Sequence, residues 1–293
     1  MESKRKILFI INPISGTGKK KIIEKLLEEY LDKSAIEFEI KYTEFAGHAI
    51  EISKKVVDQN NYECVIAVGG DGSVNEVANG LIGSKVILGI IPVGSGNGFA
   101  RHMKIPLNLK DAIIALNKGR IQTVDTGEIS NHKFVGIAGA GFDAHISKKF
   151  DEASTRGFWT YFKLTVSEYL KYKERAYEVK IREEESSFKA LILCFCNSSQ
   201  WGNNAFIAPN ANASDGKIVV AIVRKMPLLA VPYFAYRLFK GKVNASKYYR
   251  QIVVDEISVK QKDHLIHIDG DPLEFKQTFT VKVNPSSLNV ITV

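Results

Sequence analysis

Along the first 120 residues, short apolar runs alternate with segments whose apolar positions recur every three or four residues. The apolar runs fall at residues 6–11, 37–42, 64–68 and 86–91, and they predict four strands. Amphipathic helices are predicted after them, around residues 20–30, 48–58, 73–81 and 108–118. Four such alternations predict an open α/β sheet.

The pattern changes after Arg120, where strands of β-branched and alternating residues replace helices. This pattern predicts an antiparallel β-sandwich. The predicted domains are a first domain at 1–128 and the sandwich at 129–284. The segment 142–172 is amphipathic and rich in aromatic residues, which fits either a mobile flap or a packed helix pair. The predicted strands lie at 133–138, 177–184, 189–196, 217–223, 251–260, 265–269, 279–283 and 288–293.

Composition places the chain among folded soluble proteins. Its 293 residues are 45% hydrophobic and 25% charged, which is enough for two cores. The apolar run at the amino terminus is too short for a signal peptide, and no stretch reaches the length of a membrane span. The three cysteines lie in apolar runs, so we expect buried thiols and a cytoplasmic location.

The net charge of +8 is concentrated in one part of the chain. Residues 219–254 contain no Asp or Glu but seven Lys and Arg, interleaved with six Tyr and Phe. A basic and aromatic face suits an anionic membrane surface or a nucleic acid. An ordinary solvated face is the commoner explanation of any single charge run.

The strongest chemical signal is the segment 64–79, where a buried strand runs into Gly69-Gly70-Asp71-Gly72 and then a helix. We expect the glycines to allow positive φ and the close approach of another molecule. Ser73 and Glu76 have the spacing of a capping box for the helix. Free amides at a helix start favour phosphate, and Asp71 beside them favours Mg²⁺-nucleotide chemistry. Taken alone, the motif fits a simple tight turn equally well.

Two further glycine loops follow strands in the same half of the chain, at residues 12–20 and 92–106. The first lacks the spacing of a Walker A loop. In open α/β sheets, ligands bind beyond the carboxyl ends of the strands, where all three loops are expected. Their recurrence favours a nucleotide pocket.

Two acidic turns occur in the second half. Asp215-Gly216 precedes a strand and fits an ordinary hairpin turn. Asp269-Gly270-Asp271 brings two carboxylates close together, which fits a plain turn, a general base or a metal site.

With these motifs assembled, the whole chain resembles the diacylglycerol kinase catalytic-domain superfamily, in particular bacterial soluble lipid kinases related to sphingosine kinases. The resemblance rests on several ordered motifs, namely Asn12-Pro-x-Ser-Gly16, Thr43, Gly69-Gly-Asp-Gly-Ser-x-Asn-Glu76, Pro92-x-Gly-Ser-Gly-Asn97, Asp125-x-Gly127, Pro209 to Gly216 and Asp269-Gly-Asp271. It implies an ATP-binding α/β domain, a lipid-binding sandwich, and a last strand at about 285–293 that returns to the first domain.

The resemblance also implies roles for individual residues. Asp71 and Asp125 would organise Mg²⁺ near the phosphates, and Asp215 with the carbonyl groups of Asn212 and Lys217 would form a structural Mg²⁺ site. Asp271 would be the catalytic base, and Asp71 would also belong to the catalytic centre. ATP would be held by Asn12, Ser15, Gly16, Thr43, Gly69, Gly70, Asp71, Gly72, Ser73, Val74, Asn75, Glu76, Gly94, Ser95, Gly96 and Asn97.

Two positions depart from the family pattern. Asp271 stands where the base is usually Glu, and Gly98 stands where many diacylglycerol kinases have Asp. The segment Gly94-Ser-Gly-Asn97 is similar to that of sphingosine kinases and favours a sphingoid or related lipid.

The resemblance therefore implies a kinase that uses ATP and Mg²⁺ to phosphorylate a lipid hydroxyl, of the diacylglycerol or sphingoid type. Its partner would be a lipid at an anionic membrane surface rather than a nucleic acid, and a homodimer is left open. The enzyme would be cytoplasmic and peripheral at the inner membrane surface. The alternatives are an NAD kinase, which shares the Gly-Gly-Asp-Gly turn, and a non-catalytic protein that binds nucleotides and anionic membranes.

Overall fold

The computed structural model describes residues 4–13, 20–153 and 158–293. The chain divides into two units, one formed by Met1–Val124 with Ser286–Val293 and the other by Asp125–Pro285. Two strands contain residues of both units. β5 (Arg120–Ile129) begins in the first unit and ends in the second, and β16 (Thr278–Thr292) runs the opposite way.

The first unit is built on a parallel sheet, as the alternating pattern predicts. Its strands follow the order β2, β1, β3, β4, and the end of β16 pairs in parallel with β4. Alternate strand residues, among them Ile7, Phe9 and Ile66, form a core on one face of the sheet with side chains of the first and fifth helices, such as Leu27 and Ile113. The elements are β1 (Arg5–Ile11), α1 (Lys20–Tyr30), β2 (Ile36–Tyr42), α2 (His48–Gln59), β3 (Cys64–Gly69), α3 (Asp71–Leu81), β4 (Ile87–Pro92), α4 (Gly98–His102) and α5 (Leu109–Lys118).

The second unit contains two antiparallel layers. One has the order β12, β11, β10, β7, β14, β15, and the other joins the first half of β16 to β13, β8 and β9. The predicted mixed α/β fold with a C-terminal sandwich is confirmed. The strands are β6 (His132–Phe134), β7 (Ile137–Gly141), β8 (Arg175–Ile181), β9 (Glu184–Ala190), β10 (Ile192–Cys196), β11 (Ile218–Val223), β12 (Tyr249–Val254), β13 (Glu256–Gln261), β14 (Leu265–Ile268) and β15 (Asp271–Glu274).

Strand β10 shows how the second unit builds two cores. Leu193 and Phe195 face the core between the layers, whereas Cys194 and Cys196 face the other side. That other side is covered by α6 (Phe142–Asp151), α7 (Phe158–Lys171) and α8 (Val231–Phe239). No helix among the described residues has the length and apolar composition needed to cross a bilayer.

Several predicted strands have different boundaries in the structure. The predicted strand 251–260 is two strands, β12 and β13, which break at Asp255 and join different layers. The two predicted terminal strands are instead one continuous strand, β16. The segment 142–172 contains two helices that pack together, and His145 Nε2 lies 2.8 Å from Glu168 Oε2 across them.

The predicted capping box at Ser73 and Glu76 is wrong. Helix α3 already begins at Asp71, and its N-cap is Gly70, which provides no side-chain cap. Glu76 instead accepts hydrogen bonds from the backbone N–H groups of Gly47 (2.9 Å) and Ala49 (3.3 Å). The start of α2 has no side-chain cap of its own, so the Glu76 carboxylate supplies its missing acceptors.

Candidate active site

The loops that carry the predicted nucleotide residues leave the same edge of the parallel sheet. Backbone hydrogen bonds tie the strand ends together there: Asn12 N–H donates to Val68 (3.3 Å), Val93 N–H donates to Gly69 (3.0 Å), and Thr43 N–H donates to Ile11 (3.0 Å). The structure thus brings the described loops of the first unit to the carboxyl ends of β1 to β4, as predicted. Ser15 and Gly16 lie outside the described residues.

The second and third glycine loops meet backbone to backbone. A Cβ atom on Gly94 would lie 2.6 Å from the Cα of Gly70 and 2.8 Å from Asn97 Oδ1. Gly70 itself has an extended conformation, with φ −90° and ψ −169°. The expectation of positive φ is therefore wrong at Gly70, and glycine is required at Gly94 because its neighbour is main chain.

Asp71 stands at the start of α3 and links it to the third loop. Its Oδ1 atom accepts a hydrogen bond from the backbone N–H of Phe99 (3.3 Å), in the first turn of α4. The side chain is half-buried. A carboxylate is thus fixed between two loop-to-helix junctions at one end of the sheet.

Asn97 holds the third loop in a left-handed conformation, with φ 50° and ψ 47°. Its Nδ2 donates to the carbonyl of Gly94 (2.8 Å), and Arg101 Nε donates to the carbonyl of Gly96 (3.0 Å). Asn97 Oδ1 is buried and finds no hydrogen-bond partner among the described residues. Since buried polar atoms are normally satisfied, this loop has an acceptor that a ligand or a water molecule would complete.

The other predicted nucleotide residues have different environments. Asn12 Nδ2 lies 3.5 Å from Ser73 Oγ, so the residue that follows β1 is close to the first turn of α3. Val74 is buried in the core, so only its backbone can face a ligand. Asn75 Oδ1 accepts from Asn79 Nδ2 (2.9 Å), and Glu76 is directed to α2.

The predicted metal residues of the second unit form one network. Asp125 is buried, its Oδ2 accepts from Gly216 N–H (2.7 Å), and its own N–H donates to the carbonyl of Ala213 (2.6 Å). Within the loop, Asn212 Oδ1 accepts from Ser214 N–H, and Asp215 Oδ1 accepts from Lys217 N–H. Asp125 therefore belongs to the unit that carries Asp215, whereas Asp71 belongs to the other unit.

This loop suits a hard divalent cation. The carboxylate of Asp215 is exposed, the backbone carbonyls of the same turn are also oxygen donors, and Mg²⁺ and Ca²⁺ prefer such ligands. The buried Asp125 carboxylate holds this loop in place by accepting the hydrogen bond from Gly216 N–H.

The two carboxylates of Asp269-Gly270-Asp271 have separate environments. Asp269 accepts hydrogen bonds from three consecutive backbone N–H groups, those of Val135 (3.0 Å), Gly136 (2.8 Å) and Ile137 (2.8 Å). Asp271, the first residue of β15, is exposed. Of the alternatives left open by the sequence, a metal site shared by both carboxylates is thus disfavoured, since Asp269 is committed to the turn.

One buried cluster was not found by sequence reasoning. Asp143 Oδ2 lies 3.0 Å from His267 Nε2 and 2.8 Å from Cys194 Sγ, and all three side chains are buried. Burial on its own lowers the pKa of His267, but Asp143 and Cys194 raise it to about 10. Burial raises the pKa of the Cys194 thiol. The only sequence signal was the position of His267 beside the Asp269 turn.

Comparison with known proteins identifies the family. The protein-family model described as "Diacylglycerol kinase catalytic domain" matches residues 6–129. A second family model, described as "YegS C-terminal NAD kinase beta sandwich-like domain", matches residues 136–292. A protein of Yersinia enterocolitica named "Probable lipid kinase YegS-like" is 30% identical over 233 residues, covering 77% of each chain. The chain belongs to the diacylglycerol kinase family of lipid kinases.

Other members of this lipid kinase family match over more of the length. A protein named "Diacylglycerol kinase" from Staphylococcus saprophyticus is 26% identical over 278 residues, covering 92% of this chain and 89% of the relative. The crystal structure of a diacylglycerol kinase from Bacillus anthracis superposes with a TM-score of 0.77 at 17% identity, covering 100% of this chain and 98% of that chain. The last similarity is one of fold.

Proposed function

We propose that this member of the lipid kinase family transfers the γ-phosphoryl group of ATP to a lipid hydroxyl in the presence of Mg²⁺. The lipid is of the diacylglycerol or sphingoid type. Family membership supports kinase activity, and the names of the relatives favour diacylglycerol. The sphingosine-kinase-like form of residues 94–97 keeps the sphingoid base as a candidate.

The observation that carries the proposal is the contact of Gly70 with Gly94 beside Asp71. Among the described residues, no side chain caps the N-terminus of α3, an eleven-residue helix, and the first N–H groups of a helix need acceptors from outside it, which an anion can supply. The aligned peptide dipoles favour negative charge at that end. Gly70 and Gly72 at this helix start have no side chains that would cover the backbone, so a phosphate chain can approach the N–H groups themselves.

The residues available for a divalent cation fit a kinase. Asp71 would hold the ion that accompanies ATP, and Asp215 with the carbonyl groups of Asn212 and Lys217 would hold a structural ion. A bound cation would neutralise charge on the transferred phosphoryl group. Asp125 supports the loop of the structural site through Gly216.

Asp271 is the proposed general base. Its carboxylate is exposed, so a lipid hydroxyl can reach it, and it would accept the hydroxyl proton as the oxygen forms its bond to the γ-phosphorus. The bond from the γ-phosphorus to the leaving oxygen of ADP breaks in the same displacement. Asp269 keeps the turn in place and does not compete for that proton.

The direct test measures transfer of radiolabel from γ-labelled ATP in mixed micelles. The acceptors are diacylglycerol, monoacylglycerol, sphingosine, ceramide and undecaprenol, with NAD in a parallel reaction. We expect Mg²⁺-dependent labelling of diacylglycerol or of a sphingoid base. Label in NAD alone, or no transfer under conditions in which ATP binds, would contradict the proposal.

A further inference from the structure

Helix α7 carries a stripe of exposed apolar side chains. Trp159 is 70% exposed, and Phe162, Val166 and Leu170 are each at least half exposed. They are spaced by three, four and four residues, so at 100° per residue they lie within about 80° of the helix circumference. Such a continuous apolar stripe on a surface helix indicates an interaction site.

Other positions of the same helix are already used for packing, with Glu168 opposite the stripe and Tyr169 beside it, about 20° from Phe162 at 100° per residue. Tyr169 is buried, and its hydroxyl donates to the carbonyl of Met226 (2.7 Å). The ring of Tyr169 packs edge-on against Phe142, and Glu168 contacts His145. The stripe is therefore not the face by which α7 is attached to its own unit.

A second exposed apolar group lies on the segment that contacts α7. Lys225 Nζ donates to the carbonyl of Tyr172 (2.5 Å), and Met226 meets Tyr169, so the segment leading into α8 contacts the end of α7. Val231, Phe234 and Leu238 pack on the core that also holds Tyr169. The outward side chains of this segment include Leu229, which is 96% exposed, with Leu228, Tyr233, Tyr236 and Phe239.

Charge identifies the partner of this surface. The exposed apolar residues of α8 lie within the acid-free stretch 219–254, and the helix is followed by the exposed Lys240 and Lys242. Arg237 stacks over the ring of Tyr233 at 4.4 Å. Apolar and aromatic side chains in an acid-free stretch that also carries Lys and Arg are complementary to an anionic lipid leaflet.

We infer that the stripe on α7, together with Leu228, Leu229 and the outer face of α8, inserts into the interface of an anionic bilayer. This inference rests on the proposed function, because it names the surface from which the lipid substrate is taken. The aromatic and aliphatic side chains enter the boundary between headgroups and acyl chains, and Lys240 and Lys242 remain at the headgroups.

The test uses Trp159 as the probe. The chain has only two tryptophans, so Trp201→Phe leaves Trp159 as the single indole. We expect its fluorescence to be quenched by brominated acyl chains in vesicles of phosphatidylcholine with phosphatidylglycerol, and little in phosphatidylcholine alone. The matched control is Trp159→Phe, whose remaining Trp201 should not be quenched.

Two further variants separate insertion from charge. Phe162→Ser with Val166→Ser should weaken vesicle binding about ten-fold or more, since two apolar side chains are lost from the interface. Lys240→Glu with Lys242→Glu should weaken binding to anionic vesicles and reduce its dependence on salt. Ile22→Ser, an exposed apolar position on α1, should leave vesicle binding unchanged.

The outcomes distinguish this inference from the proposed kinase activity. Activity on a short-chain diacylglycerol below its critical micelle concentration should persist in all these variants. No quenching of Trp159, in a protein that phosphorylates the short-chain lipid, would overturn the membrane surface and leave the kinase intact. Quenching of Trp159 in a protein that does not phosphorylate the short-chain lipid would support the membrane surface and contradict the proposed kinase activity. A dimer in light scattering that Phe162→Ser with Val166→Ser converts to monomer, with no quenching, would assign the surface to a second copy of the chain and overturn the inference.

Discussion

Gly70 and Gly94 contact each other through main-chain atoms alone. A Cβ on Gly94 would lie 2.6 Å from the Cα of Gly70, whereas a Cβ on Gly70 would lie 3.3 Å from the Cα of Gly94. The first distance is incompatible with a real contact, and the second needs only a small adjustment. Two loops that are separate in sequence therefore form one backbone surface beside Asp71.

This asymmetry predicts a graded response to alanine. We expect Gly94→Ala to destabilise the first unit by about 1–3 kcal/mol and to abolish measurable ATP binding, because the loops must move apart. Gly70→Ala should have a smaller effect on both. Thermal unfolding and ATP titration of the two variants provide the measurement. Equal ATP affinity in Gly94→Ala and wild type would contradict the importance of the contact.

The two carboxylates of the Asp269-Gly270-Asp271 turn should respond differently to replacement by asparagine. Asp269→Asn should lower the free energy of unfolding by about 2 kcal/mol, because an amide nitrogen replaces one oxygen that accepts from backbone N–H groups. Asp271→Asn should leave the melting temperature unchanged and reduce kcat by about 10² or more, since a general base is lost. Calorimetry and steady-state kinetics test the pair. Loss of stability in Asp271→Asn with full activity would refute the assignment.

The ion pair of His267 with Asp143 predicts a dependence of stability on pH. The pKa of His267 is raised from its ordinary value of 6.5 to about 10 in the folded state. The ion pair therefore contributes its full stabilisation below pH 6.5, and this contribution is lost as the pH rises toward 10. His267→Gln should cost about 3 kcal/mol at neutral pH, and this cost should shrink in alkali. Urea unfolding of both proteins from pH 6 to 10 measures it. A cost that stays constant or grows with pH would contradict the pairing.

Magnesium should stabilise the second unit through Asp215. At a concentration of a hundred times the dissociation constant, a bound ion adds about 2.7 kcal/mol to the free energy of unfolding. We expect Mg²⁺ to raise the melting temperature of the wild type, chelation to reverse this, and Asp215→Ala to abolish it. Asp58→Ala, an exposed carboxylate at the end of α2, serves as the control. The same Mg²⁺ shift in Asp215→Ala and wild type would exclude the loop as the site.

Local periodicity predicted most of the first unit, because its strands and helices alternate within short stretches of chain. The buried strand at Cys64–Gly69 and the helix after it are determined by neighbouring residues. The capping box at Ser73 failed for a different reason. The Glu76 carboxylate accepts a hydrogen bond from the backbone N–H of Gly47, which is 29 residues away in sequence. Sequence spacing alone does not reveal which distant N–H group needs an acceptor.

Contacts across the second unit were equally hidden from the sequence. His267 and Asp143 are separated by 124 residues, and Asp125 meets Gly216 over 91 residues. The motif at Asp269 and Asp271 was visible, but the inward direction of Asp269 depends on the backbone of Val135 to Ile137. Likewise, the acid-free stretch was evident from composition, whereas the apolar stripe on α7 became clear only when its packed face was known.

The most direct measurement is the rate of phosphoryl transfer from ATP to diacylglycerol or sphingosine in Asp71→Asn. Asparagine keeps an oxygen that can accept from Phe99 N–H, so the fold and the melting temperature should be retained. Because the carboxylate charge is removed, we predict loss of Mg²⁺-dependent transfer by about 10³ or more. Transfer at the wild-type rate in a folded Asp71→Asn protein would show that the glycine-loop site is not where the reaction occurs.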